Sequence, residues 1–224
     1  MAKSTSSSGT GSRRARPAKP ALSLAVIVAA GLELLRQDGI AGLSLRKVAQ
    51  ALDTGAASLY VYLDNFEALH AHMLDHALGE VAIPTDGDWR QKLCGLLRNY
   101  LLVLHATPGL GQLAMMTMAT GPNALRLLEA QLGLLLEGGL DERRAAWAVD
   151  ALPLYISAIA AEQDLRRQQT DPLAGITQTL AAAPPEHYPH SHRLQAEMLA
   201  GDGEARLSWA LDMLINGLIH TPRP

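Results

Sequence analysis

Apolar residues recur at spacings of three and four along most of the chain, and this periodicity predicts α-helices rather than strands. In the first third of the sequence the periodic segments are short. They are separated by serines and glycines, which are typical of helix starts and helix ends. The pattern predicts four helices in this region: between Ser23 and Gly39, from Ser44 to about Leu52, from Ala56 to about Leu63, and from near Asp64 or Asn65 to Leu78.

Longer helices are predicted beyond the break at residues 84–87. Pro153 lies inside the longest of them, where it is expected to remove a backbone hydrogen bond and to bend the helix. Residues 183–192 contain three prolines and are predicted to form a loop. The predicted helices are Trp89–Ala106, Leu110–Ala119, Asn123–Glu137, Asp141 to about Gln169, Pro172–Ala182 and Asp202–His220.

The composition agrees with an all-α fold. Hydrophobic residues make up 48% of the chain but aromatic residues only 4%, so the core volume comes mainly from leucine and alanine, which favour helices. Cys94 is the only cysteine, so no intramolecular disulfide can form. The first 20 residues lack the apolar stretch of a signal peptide, and segment 22–35 is too short to span a bilayer. We therefore predict a cytoplasmic protein.

The charge is distributed unevenly. Residues 1–63 carry a formal charge of +5, whereas residues 64–224 carry −8. A basic N-terminal part on an acidic remainder favours a protein that binds a polyanion through its N-terminal part. An alternative is a basic disordered tail, because five of the eight N-terminal Lys and Arg residues precede Pro20. Residues 1–20 are rich in Ser, Gly and Pro and are predicted to be a disordered arm.

Residues 43–63 have the outline of a helix-turn-helix, in which two short helices are joined by a three-residue turn at 53–55. Ala49 provides the small side chain needed where the two helices cross. The turn needs a residue that tolerates an unusual backbone conformation, for which Asp53 is acceptable and glycine would be better. Val48, Leu52 and Leu59 are the candidate apolar anchors. Any small helical bundle can mimic this pattern.

The whole stretch from Leu22 to Leu78 resembles the DNA-binding domain of the tetracycline-repressor (TetR) family. The resemblance implies an N-terminal three-helix helix-turn-helix domain, residues 21–66, and a C-terminal helical domain for ligand binding and dimerisation, residues 67–224. It also implies a homodimer that binds double-stranded operator DNA as a repressor and is released by a small hydrophobic effector. We predict no enzymatic activity, no cofactor and no membrane partner.

The resemblance assigns DNA-contacting roles in the second and third helices. Arg46 is the one long donor well placed for a bidentate guanine contact, and the start of the third helix would face base edges. The backbone amide of Ser44 could hold a phosphate. The residues given a DNA-contacting role are Ser44, Arg46, Thr54, Ala56, Ala57, Ser58, Tyr60 and Tyr62. The alternatives are that Tyr60 only packs in the core and that Arg46 is an ordinary surface charge.

Two departures from the family pattern bear on DNA affinity. Phe66 stands where many relatives have a phosphate-binding lysine, and Asp53-Thr54 replaces the customary Gly-Val of the turn. The third helix also lacks Arg, Lys, Asn and Gln. We therefore expect DNA affinity to depend on the basic residues of the arm, each neutralised phosphate adding roughly −0.9 to the slope of log affinity against log salt. These are Arg13, Arg14, Arg16 and Lys19.

The resemblance further implies that the last long helices pair two subunits. The final helix carries an apolar stripe predicted to lie at the dimer interface: Leu207, Ala210, Leu211, Leu214 and Leu218. In the preceding long helix, Ala158, Ala160 and Ala161 are small enough to let a partner helix approach. The alternative is that these residues belong to the core of a single subunit.

The candidate effector pocket consists of aromatic, histidine and methionine residues in the C-terminal part: Tyr100, His105, Met115, Met118, Trp147 and Tyr155. Methionine side chains suit a cavity that accepts several shapes, although such residues are more often ordinary core. No metal site is predicted, because His187, His190 and His192 lie in a proline-rich segment without a ligand spacing.

Two other functions are alternatives to a DNA-binding regulator. An all-α enzyme would need a nucleophile with its base, or inward-facing carboxylates three or four residues apart. Glu162 and Asp164 are two apart, and Cys94 has no evident histidine partner. The second alternative is a family member that has lost operator binding, which Phe66 and Asp53 would favour.

Overall fold

The computed structural model describes residues 21–222 except residues 168 and 172. These residues form eleven α-helices and no strand, which confirms the predicted all-helical fold class. The predicted arm, residues 1–20, lies outside the described residues. The helices are α1 Leu24–Gly42, α2 Leu45–Ala51, α3 Ala56–Leu59, α4 Phe66–Leu78, α5 Trp89–Ala106, α6 Leu110–Met116, α7 Pro122–Glu137, α8 Glu142–Arg167, α9 Ala174–Ala182, α10 Pro189–Leu199 and α11 Gly203–His220.

Helices α1 to α3, residues 24–59, form what we call the head. Its helices begin at the capping residues expected from the sequence. The hydroxyl of Ser23 accepts a hydrogen bond from the backbone amide of Val26, and the hydroxyl of Ser44 accepts one from the backbone amide of Lys47. Gly39 has φ of 67°, so the regular part of α1 ends there and a last turn follows.

Helix α3 is shorter than predicted. It covers only residues 56–59, and residues 60–62 form a turn instead of a continuing helix. The amides of Tyr62 and Leu63 both donate to the carbonyl of Leu59, which closes the helix end. Leu59 and Leu63 are still buried, so the apolar anchors on this segment lie on the interior side as expected.

Helices α5 to α11, residues 89–220, form what we call the body, and α4 connects it to the head. The body is built around α8, which packs against α5, α6 and α7. Its core consists mainly of leucines, as the composition indicates; they include Leu93, Leu97, Leu104, Leu113, Leu135 and Leu152. By length and composition alone α8 could cross a membrane, but the core helix of a globular protein meets the same criterion. We interpret it as a core helix.

Two segments of the body differ from the sequence prediction. Residues 189–199 form α10, although part of this segment was predicted to be loop. Pro189 lies in the first turn of α10, where the missing backbone N–H would have had no helical acceptor. Helix α6 ends at Met116 rather than near Ala119, because Thr117 adopts an extended conformation. Met118 therefore lies in the connection to α7.

The apolar stripe of α11 was wrongly predicted to face a partner subunit. Leu207, Ala210 and Leu211 are buried within the subunit's own core, so the alternative interpretation holds for them. On α8, Ala160 is also fully buried, because Gly111 of α6 crosses α8 so closely that a Cβ atom there would lie 2.8 Å from the Ala160 methyl. The small residue therefore serves helix packing inside one subunit.

Candidate functional site

The crossing of α2 and α3 is tightly packed. Val48 and Leu59 are fully buried and Ala49 is nearly so, which leaves room only for a small side chain at the crossing. The amide of Thr54 donates to the carbonyl of Ala49 at 2.9 Å and holds the turn against α2. Asp53 has φ of 50°, which is left-handed and agrees with the unusual backbone conformation that the turn was expected to need.

The outer side of this crossing is a concave, solvent-facing surface, which we call the α2–α3 surface. It includes Arg46, Thr54 and Ala56 of the predicted DNA-contacting set, together with Gln50, which the sequence reasoning missed. The guanidinium of Arg46 is exposed and makes no hydrogen bond or ion pair with the described residues. It is therefore available to an external partner. Ala57 is exposed next to Ala56, and Ser58 is half-buried.

The two tyrosines of this region have different environments. Tyr60 is 57% exposed, which argues against a purely packing role. The hydroxyl of Tyr62 donates to the carbonyl of Leu22 at 2.8 Å and so joins the end of the α3 segment to the start of α1. That hydroxyl retains lone pairs that can accept a hydrogen bond. Ser44 is occupied as the cap of α2, which leaves its backbone as the group for a phosphate contact.

Acidic side chains lie close to this basic region. The ammonium of Lys47 contacts the carboxylate of Asp38 at 2.8 Å, and both side chains are nearly half exposed. Such an exposed ion pair is weak, so an anionic partner can compete for the lysine. Phe66 begins α4 and packs on His70 with a ring-centroid distance of 4.1 Å, so it contributes to the fold rather than to phosphate binding.

The body contains a mainly apolar cavity of about 670 Å³. Its walls come from five parts of the chain: the end of α4, the middle of α5, the α6–α7 segment, α7 and α8. Exposed methionines lie along its rim, of which Met116 and Met118 are the most exposed. The volume and apolar lining fit a drug-sized organic molecule.

The polar residues that line this cavity are Tyr100, Thr117, Thr120, Gln131, Asp150 and Ser157. The hydroxyls of Tyr100 and Ser157 are 2.8 Å apart, and burial raises the pKa of Tyr100, so the phenol stays protonated. Gln131 is 7% exposed, and its Nε2 donates a long hydrogen bond of 3.4 Å to the Leu127 carbonyl. Its Oε1 is buried and accepts no hydrogen bond from the described residues. A ligand hydroxyl or amine could satisfy that oxygen.

The structure brings only part of the predicted effector set to the cavity. Tyr100, Met115 and Met118 line it, whereas His105, Trp147 and Tyr155 are not among the lining residues. His105 lies at the end of α5, where burial and the charge of Arg167 lower its pKa. Trp147 is exposed on α8. Among the described residues no cluster of metal-ligating side chains occurs.

The sequence reasoning missed Gln131 and Ser157. For Gln131 a signal was present, because an amide interrupts the apolar stripe that the leucines form on α7. A polar residue in such a stripe often faces a cavity or a partner. Ser157 carries no comparable signal among the small residues of α8.

Two family models match the chain. The model described as bacterial regulatory proteins, tetR family, matches residues 27–73, and the one described as tetracyclin repressor-like, C-terminal domain, matches residues 83–221. Among curated relatives, the HTH-type transcriptional repressor DrrR1 of Streptomyces coeruleorubidus is 32% identical over 75% of this chain. The match spans 63% of the length of DrrR1. The tetracycline repressor protein class D of Escherichia coli is 27% identical over 85% of this chain and 86% of its own length.

Solved structures of Streptomyces regulators have the same fold. The transcription regulator SCO7704 is 38% identical, with a TM-score of 0.76 over 92% of this chain and 98% of its own. ActR of Streptomyces coelicolor, in complex with actinorhodin, is 29% identical, with a TM-score of 0.79 over 89% of this chain and 96% of its own.

Proposed function

The chain belongs to the TetR family of bacterial regulatory proteins, and we propose that its α2–α3 surface binds operator DNA while an effector in the body cavity controls that binding. The match confirms the family identified from the sequence and the prediction of a transcriptional regulator that is not an enzyme. We propose residues 21–66 as the DNA-binding domain, residues 67–224 as the regulatory domain, and a cytoplasmic location, since operator DNA lies there.

The observation that carries the proposal is the exposed Arg46 on the concave side of the helix-turn-helix, which has no hydrogen-bond or ion-pair partner among the described residues. A guanidinium at this place can form a bidentate contact with the O6 and N7 atoms of guanine in the major groove. Ala56, Ala57 and the half-buried Ser58 would follow the same groove, and Tyr60 would reach the DNA backbone. The arm residues proposed from the sequence would add phosphate contacts.

We propose a hydrophobic small molecule with hydrogen-bonding groups as the effector. ActR, a relative of this chain with the same fold, has been solved in complex with actinorhodin. In this chain the cavity of about 670 Å³ has the size for such a molecule, and Tyr100, Gln131 and Ser157 provide its polar contacts. Binding would favour a conformation with lower operator affinity.

We also propose a homodimer through exposed faces of α8 and α11. On α8, Trp147, Ala151, Leu154, Ala158 and Leu165 are exposed at helical spacing, and on α11 Trp209 and Met213 are exposed. An apolar face of this extent is unusual on a monomer, and its burial would contribute about 25 cal/mol per Å² of apolar surface. Ala158 keeps the role proposed from the sequence, because its small side chain would let the partner helix approach.

Selection of bound duplexes from random DNA tests the DNA-binding proposal. We expect one enriched sequence with two related half-sites, and binding that survives competitor DNA. Compounds that displace the enriched duplex would then identify the effector class. If no sequence is enriched, the proposal is wrong and the chain is a family member without operator binding, as Phe66 and Asp53 would suggest.

Sedimentation at micromolar concentration tests the dimer. We expect the wild-type chain to sediment as a dimer and Ala158→Arg, which places a long charged side chain on the exposed face of α8, to sediment as a monomer. Ala181→Arg on the exposed side of α9 is the matched control and should remain dimeric. A monomeric wild-type chain would contradict the proposal.

A further inference from the structure

Helices α4 and α7 cap each other's ends. Asp75 of α4 is buried, and its two carboxylate oxygens accept hydrogen bonds from the Ala124 amide at 2.9 Å and from the Asn123 side chain at 3.3 Å. Asp75 therefore serves as the N-cap that α7 lacks in its own sequence, since the residue at its N-cap position, Gly121, has no side chain. A Cβ atom on Gly121 would collide with the Asp75 carboxylate.

A converse contact caps the C-terminal end of α4. Arg126 of α7 donates to the carbonyls of Leu78 at 2.9 Å and Val81 at 3.0 Å, with a longer contact to Gly79 at 3.4 Å. The carbonyls at a helix C-terminus have no helical partners, and a cation there also interacts favourably with the helix dipole. We call Asp75 and Arg126, with the backbone groups that they bind, the α4–α7 clamp.

The clamp lies beside the effector cavity. Leu74 and Leu78 of α4 line the cavity on either side of Asp75 in the sequence, and Ala124 and Leu127 line it on either side of Arg126. A molecule that fills the cavity would therefore contact both of the helices that the clamp joins. Because the clamp is made of charged groups bound to helix ends, the helices can move only together or by breaking it.

Another side of α4, which carries Leu69 and Met73, is packed closely against the head. Gly31 of α1 faces Met73, and a Cβ atom at Gly31 would lie 2.7 Å from its sulfur and 3.6 Å from the side chain of Leu69. Leu69 and Met73 are fully buried. A displacement of α4 can therefore reach α1 through direct side-chain packing, since closely packed interiors transmit strain.

We propose that Asp75 and Arg126 are the positioning residues that couple the cavity to the head. The clamp makes α7 and α4 one mechanical unit, so that occupancy of the cavity changes the orientation of α1 to α3. This inference rests on the proposed function. Linkage is reciprocal, so binding of DNA to the head must also change the state of α7.

The reciprocity allows a test that needs no effector. Amide hydrogen exchange is measured on the full-length protein with and without the duplex enriched in the selection experiment. In the wild-type chain we expect DNA to slow exchange in residues 45–59 and also to change exchange in residues 127–137. That second window excludes the first turn of α7, where loss of a cap alone would cause fraying.

Clamp variants should separate the two responses. In Asp75→Ala and Arg126→Gln we expect the DNA response of residues 127–137 to fall below about a third of its wild-type size, while the response of residues 45–59 persists. Asp75→Asn keeps one acceptor oxygen and should retain more than about half of the response. Glu137→Gln, which breaks the Lys92–Glu137 ion pair between α5 and α7, is the control and should leave the response unchanged.

The outcomes distinguish failure of the inference from failure of the proposed function on which it rests. Slowed exchange in the head with no response of residues 127–137 in the wild-type chain would overturn the inference but leave DNA binding intact. Full responses in both clamp variants would also overturn it. If DNA protects no part of the head, the proposed function fails and the inference fails with it. If Asp75→Ala does not fold, the test rests on Arg126→Gln, because the side chain of Arg126 is less buried than that of Asp75.

Discussion

The DNA-contacting residues of the head and the lining residues of the cavity are distributed differently along the chain. Apart from those of the arm, the proposed DNA contacts all lie between residues 44 and 62, on two short helices and two turns. In the body the cavity is lined by residues from Leu74 to Ser157, on helices that meet only after folding. A function made by a local segment is encoded in a short motif, whereas a cavity depends on packing between distant segments. The two regions should therefore respond to separate sets of substitutions.

The largest expected effect is in the head. Arg46→Ala should weaken binding of the selected operator by roughly 10- to 100-fold, about 1–3 kcal/mol, because it removes the bidentate donor. Fluorescence anisotropy at fixed salt measures this loss. Arg166→Ala, which removes an exposed cation of α8, is the matched control in the body. An equal loss in both variants would show that Arg46 acts only through net charge.

A substitution in the body should change stability but leave operator affinity nearly unchanged. Gln131→Leu removes a buried amide oxygen that has no hydrogen-bond partner in the described part of the chain, so we expect the free energy of unfolding without effector to rise by about 1 kcal/mol. Operator affinity should stay within about twofold of wild type, as expected for a distant site. Chemical denaturation measures the first effect. Gln178→Leu on the exposed side of α9 is the control, and equal stabilisation in both would contradict the special position of Gln131.

The smallest effect concerns pH and α4, the helix between the two regions. Burial lowers the pKa of His70, so the folded chain resists protonation there while the unfolded chain does not. Between pH 7 and pH 5 the unfolded state then binds more protons at this residue, and acidification lowers the free energy of unfolding. His70→Leu should make stability less dependent on pH in this window. His72→Gln removes an exposed imidazole from the same helix as a control; an equal change in both variants would argue against His70.

The same contrast explains what could be predicted from the sequence. Most of the helices, the caps at Ser23 and Ser44, and the unusual backbone conformation at Asp53 follow from local rules, and the structure has them; α10 is the exception. The burial of the α11 stripe does not follow, because a helical stripe looks the same whether it covers its own subunit or a partner. Likewise Met115 and Tyr100 were selected for the cavity by residue type, but so were Trp147 and Tyr155, which lie elsewhere.

Helix ends were the least predictable feature. Tyr60 to Leu63 have helix-forming neighbours, yet the chain leaves the helix after Leu59, since burial of Leu63 and the hydrogen bond of Tyr62 to Leu22 compete with a longer α3. Pro189 was read as a helix breaker, although a proline in the first turn is compatible with a helix. The α4–α7 clamp could not be foreseen, because Asp75 and Arg126 are far apart in the sequence and cap helices to which they do not belong.

Pro153 on the α8 wall of the cavity has a consequence for recognition of an effector. A prolyl nitrogen carries no hydrogen, so Pro153 cannot donate to the carbonyl oxygen of Val149, the residue four positions earlier, which also lines this wall. A main-chain acceptor beside the ligand cannot be removed by mutating Val149 itself. A chain that acquires substitutions in its methionines and leucines would thus change the shapes that it accepts, whereas this main-chain acceptor would persist.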